Sequence, residues 1–334
     1  MNHESMNPFL ADCHLHFEGC LPIETVERLA RRAGHRFVDA AVFEVGRLEI
    51  RDAASFLTLY AELCPLFRSP DDYAEAARDV TRALAAGGVR HAEVYVSPEI
   101  FSRIGLEAGP CLSAIDAGFR EGAAREGMTC RILLDAVRQW GPESAERVLD
   151  LYERHPLDSI VGFGIGGDEK AVPASAFAGA FLRARALGLK TSVHAGEWAG
   201  PESVREALDV LRPDRVDHGI AAASDPELLA RLAEEEITLC VAPSGNARTG
   251  AVTSFEAHPL PHLIEAGVRV ALSADDPLFF ATTTLSEYRL ARDLLGIGDR
   301  QLRVLAENSW RAAFCSERER REGLAGLKEF QISH

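Results

Sequence analysis

The chain has 334 residues, 47% of them hydrophobic and 26% charged, which fits one large globular domain with a core that needs no staples. A formal net charge of −15 disfavours a nucleic-acid backbone or an anionic membrane as partner, because either would repel such a surface. The charge leaves a small neutral ligand open. The segment Met1–Leu10 is polar, without a signal-peptide hydrophobic region, and no apolar run reaches the ~20 residues needed to span a bilayer. Seven cysteines (Cys13, Cys20, Cys64, Cys111, Cys130, Cys240 and Cys315) form no C-x-x-C pair and no framework. Reduced, mostly buried thiols in a cytoplasmic protein are expected.

Short apolar, β-branched runs alternate with longer runs rich in Ala, Leu, Arg and Glu. In chain order the predicted strands are Ala11–Phe17, Val89–Val96, Thr129–Asp135, Ile160–Ile165, Thr191–His194, Arg215–His218, Thr238–Val241 and Arg269–Ser273. Predicted helices between them include Glu202–Leu211, Pro226–Glu235 and Leu260–Ala266, punctuated by Gly and Pro. Strand–helix alternation implies βαβ units and a parallel sheet. Eight units predict an α/β protein with a (β/α)8 TIM-type barrel, although an open doubly wound sheet shares the local pattern. Several helical runs in residues 21–86 read as an insertion after the first strand. The tail from Asp299 to the end reads as helical, then frayed. The whole of 1–334 is expected to be one domain.

Polar residues at strand ends separate barrel from open sheet. His14 and His16 end strand one, His194 ends strand five, His218 ends strand six, and Asp275 and Asp276 follow strand eight. Such scatter over many C-terminal strand ends describes a barrel mouth. An open sheet would place a Gly-rich turn after strand one, and there is none.

Two residues apart on a strand, His14 and His16 share one face. His194 and Asp275 can complete the set, and three neutral nitrogens with one carboxylate suit Zn²⁺ with a position left for water. Such an ion lowers the pKa of water from 15.7 to about 7. An isolated His-x-His could equally be two polar residues at a loop edge; four candidate ligands at strand ends make the metal reading the stronger. No Lys or Cys ends strand four, in the run Gly162–Glu169, so one metal per chain is expected.

Glu197 lies three residues past His194, where a carboxyl in a dry pocket can stay protonated and donate to a ring nitrogen. Its bland alternative is an acid at a helix start near Pro201. His218 can orient or deprotonate the water, or be a core histidine. In Asp275-Asp276-Pro277 one carboxylate can bind metal and the other can meet substrate, or the run can be a simple turn. His3, His334, His35, His155, His258 and His262 read as structural or solvated. His91 sits at the wrong end of strand two. His91-Ala92-Glu93 is similar to the His-x-Glu of cytidine-type deaminases, but the Pro-Cys-x-x-Cys partner is missing.

From His14 to about Pro277 the sequence resembles the adenosine deaminase family of the amidohydrolase superfamily. The resemblance rests on His14-Leu15-His16-Phe17-Glu18-Gly19, Gly166-Gly167-Asp168-Glu169, Val193-His194-Ala195-Gly196-Glu197, Asp217-His218-Gly219 and Ser273-Ala274-Asp275-Asp276-Pro277, in the family's order. It implies that His14, His16, His194 and Asp275 bind zinc and that Glu197 protonates purine nitrogen 1. It implies that His218 and Asp275 position the hydroxide attacking carbon 6, that Asp276 contacts nitrogen 7, and that the Gly167 amide contacts nitrogen 3. The expected partners are water and a small-molecule aminopurine, with no nucleic acid and no membrane.

Three departures bear on the substrate. Glu18 stands where the family usually has an Asp for the ribose 5′-hydroxyl. Gly164 stands where an Asp is common, and Ala242-Pro243-Ser244-Gly245-Asn246 replaces the usual Cys-Pro-Thr-Ser-Asn. Adenosine itself or a 5′-modified adenosine, such as the 6-aminodeoxyfutalosine of menaquinone synthesis, is the first expectation, with Arg103 or Arg248 available to a substrate carboxylate. Free adenine is the alternative, since adenine deaminases of this family carry His-x-His-x-Glu-Gly; the Gly-Asp-Glu after strand four argues against it. A non-catalytic nucleoside-binding relative would be expected to lack metal or acid residues, and another metal-dependent amidohydrolase would show a strand-four Lys or Glu bridge.

Overall fold

The computed structural model describes residues 9–43 and 48–327; His3 and His334 lie outside them, as do the ends of the N-terminal segment and of the tail. Eight parallel strands follow one another in space in chain order: β1 Leu10–His16, β2 Val89–Val96, β3 Thr129–Val137, β4 Ile160–Gly166, β5 Lys190–Ala195, β6 Arg215–His218, β7 Thr238–Val241 and β8 Arg269–Leu272. The sheet closes on itself at its C-terminal rim. There His16 N donates to Asp275 O (3.0 Å) and Asp275 N donates to His14 O (3.1 Å), a single parallel bridge from Leu15 to Asp275. The fold is a (β/α)8 barrel, as the strand pattern predicts.

The strands form around aliphatic and β-branched residues covered on both faces, as parallel strands require. Inside, the N-terminal end of the barrel is filled by an ionic cluster. Arg215 pairs with Glu93 and donates to Cys13 O (2.6 Å), Glu93 faces His91 Nε2 (3.0 Å), and Phe314 N donates to Glu93. His91 and Glu93 therefore seal the bottom of the barrel, away from the rim.

Between β1 and β2 the described residues form three α-helices, α1 Ile23–Ala33, α2 Ala53–Leu63 and α3 Pro70–Ala86, with short 3-10 turns between them. α2 starts at Asp52, whose carboxylate accepts from Ser55 N (2.8 Å) while Ser55 Oγ accepts from Asp52 N (3.0 Å). This reciprocal cap satisfies two otherwise orphaned donors. α1 and α3 are joined by Arg28–Asp79 (2.6 Å) and Arg32–Asp72 (2.8 Å). α2 instead leans over the rim, with Phe56 packed on Phe279 and Phe280 at ring separations of 5.6 and 5.2 Å. Helices Asp299–Ala312 and Glu317–Gly326 follow β8 and two further helices, Pro277–Phe280 and Thr284–Leu295. Among the described residues no helix is long and apolar enough to cross a membrane. All seven cysteines are free, and Cys315 alone is not fully buried.

Candidate active site

The C-terminal rim of the barrel surrounds a cavity of about 290 Å³, lined by His16, His194, Glu197, His218, Asp275 and Asp276 among others. Three imidazoles meet at its floor. The Nε2 atoms of His14 and His194 are 3.0 Å apart, and each lies 3.2 Å from Nε2 of His16. Asp275 Oδ1 lies 3.4 Å from His14 Nε2 and 3.3 Å from His16 Nε2.

Three ring nitrogens facing one another cannot all be satisfied by protons. His194 Nδ1 lies 3.0 Å from Ile165 O and must donate to it, which leaves a lone pair on Nε2. A cation bonded at about 2.0–2.1 Å spaces neighbouring ligand atoms roughly 3.3 Å apart, close to the separations found here. The donor set therefore fits a metal ion. His14, His16, His194 and Asp275 are brought together from β1, β5 and the turn after β8, with Glu197 and His218 alongside.

The turns that present these groups are strained or tightly packed. His218 and Asp275 are non-glycine residues with φ of +61°, a left-handed conformation that costs about 1–3 kcal/mol and tends to mark functional sites. A Cβ on Gly19 would stand 1.8 Å from Asp276 Oδ1, so the Glu-Gly pair after His16 leaves room for the Asp276 carboxyl. A Cβ on Gly164 would fall 2.8 Å from the Tyr95 ring. Tyr95 stacks on His16 and donates to Asp217 Oδ2 (2.6 Å), so the Tyr95 ring occupies the space that a side chain at Gly164 would need.

Glu197 is buried and surrounded by acids. Burial, then the charges of Asp275, Glu169 and Asp276, push its carboxyl well above the ordinary range. Asp276 is pushed up in the same way, by burial and by Asp275. Both carboxyls are thereby suited to stay protonated and act as donors.

Around Glu197 the structure adds residues to which the sequence reading assigned no role. The Glu169 carboxylate accepts from the backbone N–H groups of Gly196, Glu197 (3.1 Å), Trp198 (2.8 Å) and Ala199 (3.0 Å), and from Ser203 Oγ (2.6 Å). One buried carboxylate thus organises the loop that carries Glu197.

Asn246 fixes the ring of His218. Leu260 N donates to His258 Nδ1 (3.0 Å), so neutral His258 carries its proton on Nε2 and donates to Asn246 Oδ1 (3.2 Å). The Asn246 amide nitrogen then donates to His218 Nδ1 (3.1 Å) and to Glu197 Oε1 (3.2 Å). This network assigns the His218 proton to Nε2, 3.4 Å from Glu197 Oε2. Burial and His14 lower the His218 pKa to about 4, which keeps the ring neutral. Asn246 belongs to a run visible in the sequence as a departure, and Glu169 to a quoted motif; their partners were not visible.

The remaining sequence candidates separate. Gly167 lines the cavity with φ +89°, and the next amide, Asp168 N, donates to Gln139 Oε1 (2.9 Å). Glu18 is 2% exposed and does not line the cavity. Its Oε2 accepts from Tyr60 of α2 (2.7 Å), and Tyr60 is on the wall. Arg103 lines the mouth with its guanidinium 3.9 Å from the Trp140 ring centroid. Arg248 ends the helix Pro243–Arg248 and is not on the wall.

Comparison with known proteins gives this geometry its context. The family profile described as adenosine deaminase matches residues 9–329. An adenine deaminase from Sinorhizobium medicae is 37% identical over 320 residues, covering 95% of this chain and 97% of that protein. The crystal structure of an adenine deaminase from Arthrobacter aurescens superposes with a TM-score of 0.91 at 30% identity, covering 96% of this chain and 98% of that one. An amidohydrolase from Burkholderia ambifaria, with bound Zn, gives a TM-score of 0.87 at 26% identity over 96% of this chain and 90% of its own. The chain belongs to the adenosine deaminase family, and its chemistry is the hydrolytic deamination of an aminopurine.

Proposed function

We propose that this enzyme deaminates free adenine at carbon 6, releasing ammonia and hypoxanthine, with one Zn²⁺ held by His14, His16, His194 and Asp275. The observation that carries the substrate is the Tyr60–Glu18 hydrogen bond. It engages the residue expected to meet a 5′ group and sets a Tyr of α2 in the cavity wall beside Phe56, Leu57 and Ala61. The cavity, about 290 Å³, lies at the lower end of the ~300–1,000 Å³ typical of small-molecule sites. The names of the relatives from Sinorhizobium medicae and Arthrobacter aurescens support the same reading.

This reading takes the alternative, free adenine, in place of adenosine or a 5′-modified adenosine as the first expectation. Glu18 is longer than Asp, but its carboxylate is taken up by Tyr60 rather than presented to a ligand. The objection to adenine from Gly167-Asp168-Glu169 also loses its force. Glu169 serves the backbone of residues 196–199, a duty indifferent to what the purine carries on nitrogen 9.

When bound, zinc supplies the Lewis acidity that makes water a nucleophile near neutral pH. Protonated Glu197 donates to nitrogen 1, the ring atom next to carbon 6, and so draws electrons away from that carbon. Left as a carboxylate, Glu197 accepts the proton of the hydroxyl added at carbon 6 and delivers it to the departing amine. Of the two roles open to His218, orientation is the one its tautomer favours, with Nε2–H donating to the incoming oxygen. Asp276 donates to nitrogen 7 and the Gly167 amide faces nitrogen 3. Phe56, Tyr60 and Trp198 give this side of the cavity aromatic walls.

The test compares kcat/KM for adenine, adenosine, 5′-deoxyadenosine, methylthioadenosine and 6-aminodeoxyfutalosine, since that ratio reports differential transition-state binding. Adenine is expected to lead by about tenfold or more. A nucleoside leading by that margin overturns the reading.

A further inference from the structure

Asp135 is a buried carboxylate on the cavity wall that the chemistry above does not use. It is the seventh residue of β3, 4% exposed, and lines the cavity beside Ser97 and Gly167. Ser97 Oγ donates to its Oδ2 (2.6 Å) and the Gly166 amide lies beside the carboxyl, but Oδ1 makes no well-formed hydrogen bond within the protein. Asp135 is not one of the four groups converging at the metal site, and it caps no helix. A buried carboxylate oxygen without a donor is costly unless something else supplies one.

The order of strands around the barrel says which part of a purine Asp135 would meet. The argument rests on the adenine reading above. Glu197 follows β5 and serves nitrogen 1, Gly167 follows β4 and serves nitrogen 3, and Asp276 follows β8 and serves nitrogen 7. The sheet runs β1 to β8 in order, so the stretch from β4 back through β3 and β2 to β1 and β8 faces the perimeter between nitrogen 3 and nitrogen 7. That perimeter contains nitrogen 9. β3 and the residue just after β2 supply Asp135 and Ser97 there, and Asp135 pairs in register with Gly164 of β4.

Free adenine carries a hydrogen on its imidazole ring; in the 9-H form nitrogen 9 is a donor. Nucleosides and nucleotides have a sugar there and no donor. We propose that Asp135, held by Ser97, accepts this hydrogen bond and is the residue by which the enzyme selects a free purine base. An acceptor-only group opposite nitrogen 9 stabilises the unsubstituted base. It is left unpaired, and crowded, by any 9-substituted one.

The experiment measures kcat/KM for adenine and for 9-methyladenine, the smallest analogue without the donor, in wild type and in Asp135→Asn, Asp135→Ala and Ser97→Ala enzymes of verified metal content. The wild type is expected to prefer adenine by about 100-fold or more. That ratio should fall by about tenfold in both Asp135 variants, mostly through KM, and by about threefold in Ser97→Ala. The ratio does not depend on the fraction of protein that folds, and Ser97→Ala keeps the question open to measurement if the Asp135 variants do not fold. A ratio unchanged in every folded variant, or metal-loaded Asp135 variants inactive on both substrates, overturns the assignment to Asp135. A wild type that turns over adenosine but not adenine overturns the adenine reading itself.

Discussion

Glu169 offers the sharpest test of how the site is held. Its carboxylate accepts from four consecutive backbone N–H groups, residues 196–199, and from Ser203 Oγ. In Glu169→Ala these five donors lose their acceptor. At ~1 kcal/mol each the cost is about 5 kcal/mol, comparable to the whole stability of a marginal domain. Glu169→Gln is the better probe. Its carbonyl can take the Oε2 place, where Glu197, Trp198 and Ala199 donate, while Ser203 rotates to accept from the amide. Only Gly196 N–H then faces an amide nitrogen, and the charge is lost, so about 2–3 kcal/mol of stability should go. The loop that carries Glu197 moves with this change, and a displacement near 1 Å costs roughly 10²-fold in rate. The assay is loss of adenine absorbance in the ultraviolet, with metal content and thermal melts on the same samples. Glu169→Gln should keep its metal, melt lower and lose about 10²-fold in kcat. Because Glu169 acts through Glu197, the double variant with Glu197→Gln should be little slower than Glu197→Gln alone. Normal kcat in Glu169→Gln, or fully multiplicative losses in the double variant, refutes the positioning role.

Glu197→Gln should retain metal and fold while losing roughly 10²–10⁴-fold in kcat; near-normal turnover moves the acid elsewhere. Elemental analysis of protein purified without added metal should give one zinc per chain, and His16→Ala should lose it, since removing one of four ligands leaves a poor site. Tyr60→Ala removes the wall residue that holds Glu18, so kcat/KM for adenosine relative to adenine should rise by about tenfold, whereas no change would place the sugar barrier elsewhere. Glu287 is buried, accepting from Ser244 N (3.1 Å) and Thr282 Oγ1, and burial raises its pKa from 4.5 to about 7. An acid raised on folding favours the native state in full below pH 4.5 and loses that contribution as pH rises through about 7, a change of up to about 3 kcal/mol. Glu287→Gln can satisfy both partners without charge, so its melting temperature should vary less than that of wild type between pH 5 and pH 8; parallel curves would exclude Glu287 as the source.

The barrel and the side chains that converge at its rim were legible in the sequence because each leaves a local mark. Strands buried on both faces write short apolar runs, and the predicted bounds differ from the observed ones by a residue or two: β1 is Leu10–His16 against Ala11–Phe17, and β3 runs on to Val137. Metal ligation allows few residue types, so His14, His16, His194 and Asp275 stand out at strand ends. The helix predicted over Glu202–Leu211 is observed as an α-helix to Glu206 that widens into a π turn over Ala207–Leu211, a change of hydrogen-bond spacing that side-chain pattern does not encode.

What only the tertiary structure decided is which groups meet across long stretches of chain. Tyr60 reaches Glu18 from α2, 42 residues away, and donates to its carboxylate. Asn246 sets the His218 tautomer through His258, and Glu169 gathers the loop of Glu197 from 28 residues upstream. In each case the residue type is compatible with many partners, and hydrogen-bond geometry in a dry interior selects one. Sequence by itself determined the fold and the residue types at the strand ends, because periodicity and residue identity are local properties, and its resemblance to the adenosine deaminase family implied the aminopurine chemistry. The partners of Glu18 and the position of the His218 proton depend on distances between strands and helices that close only when the barrel does.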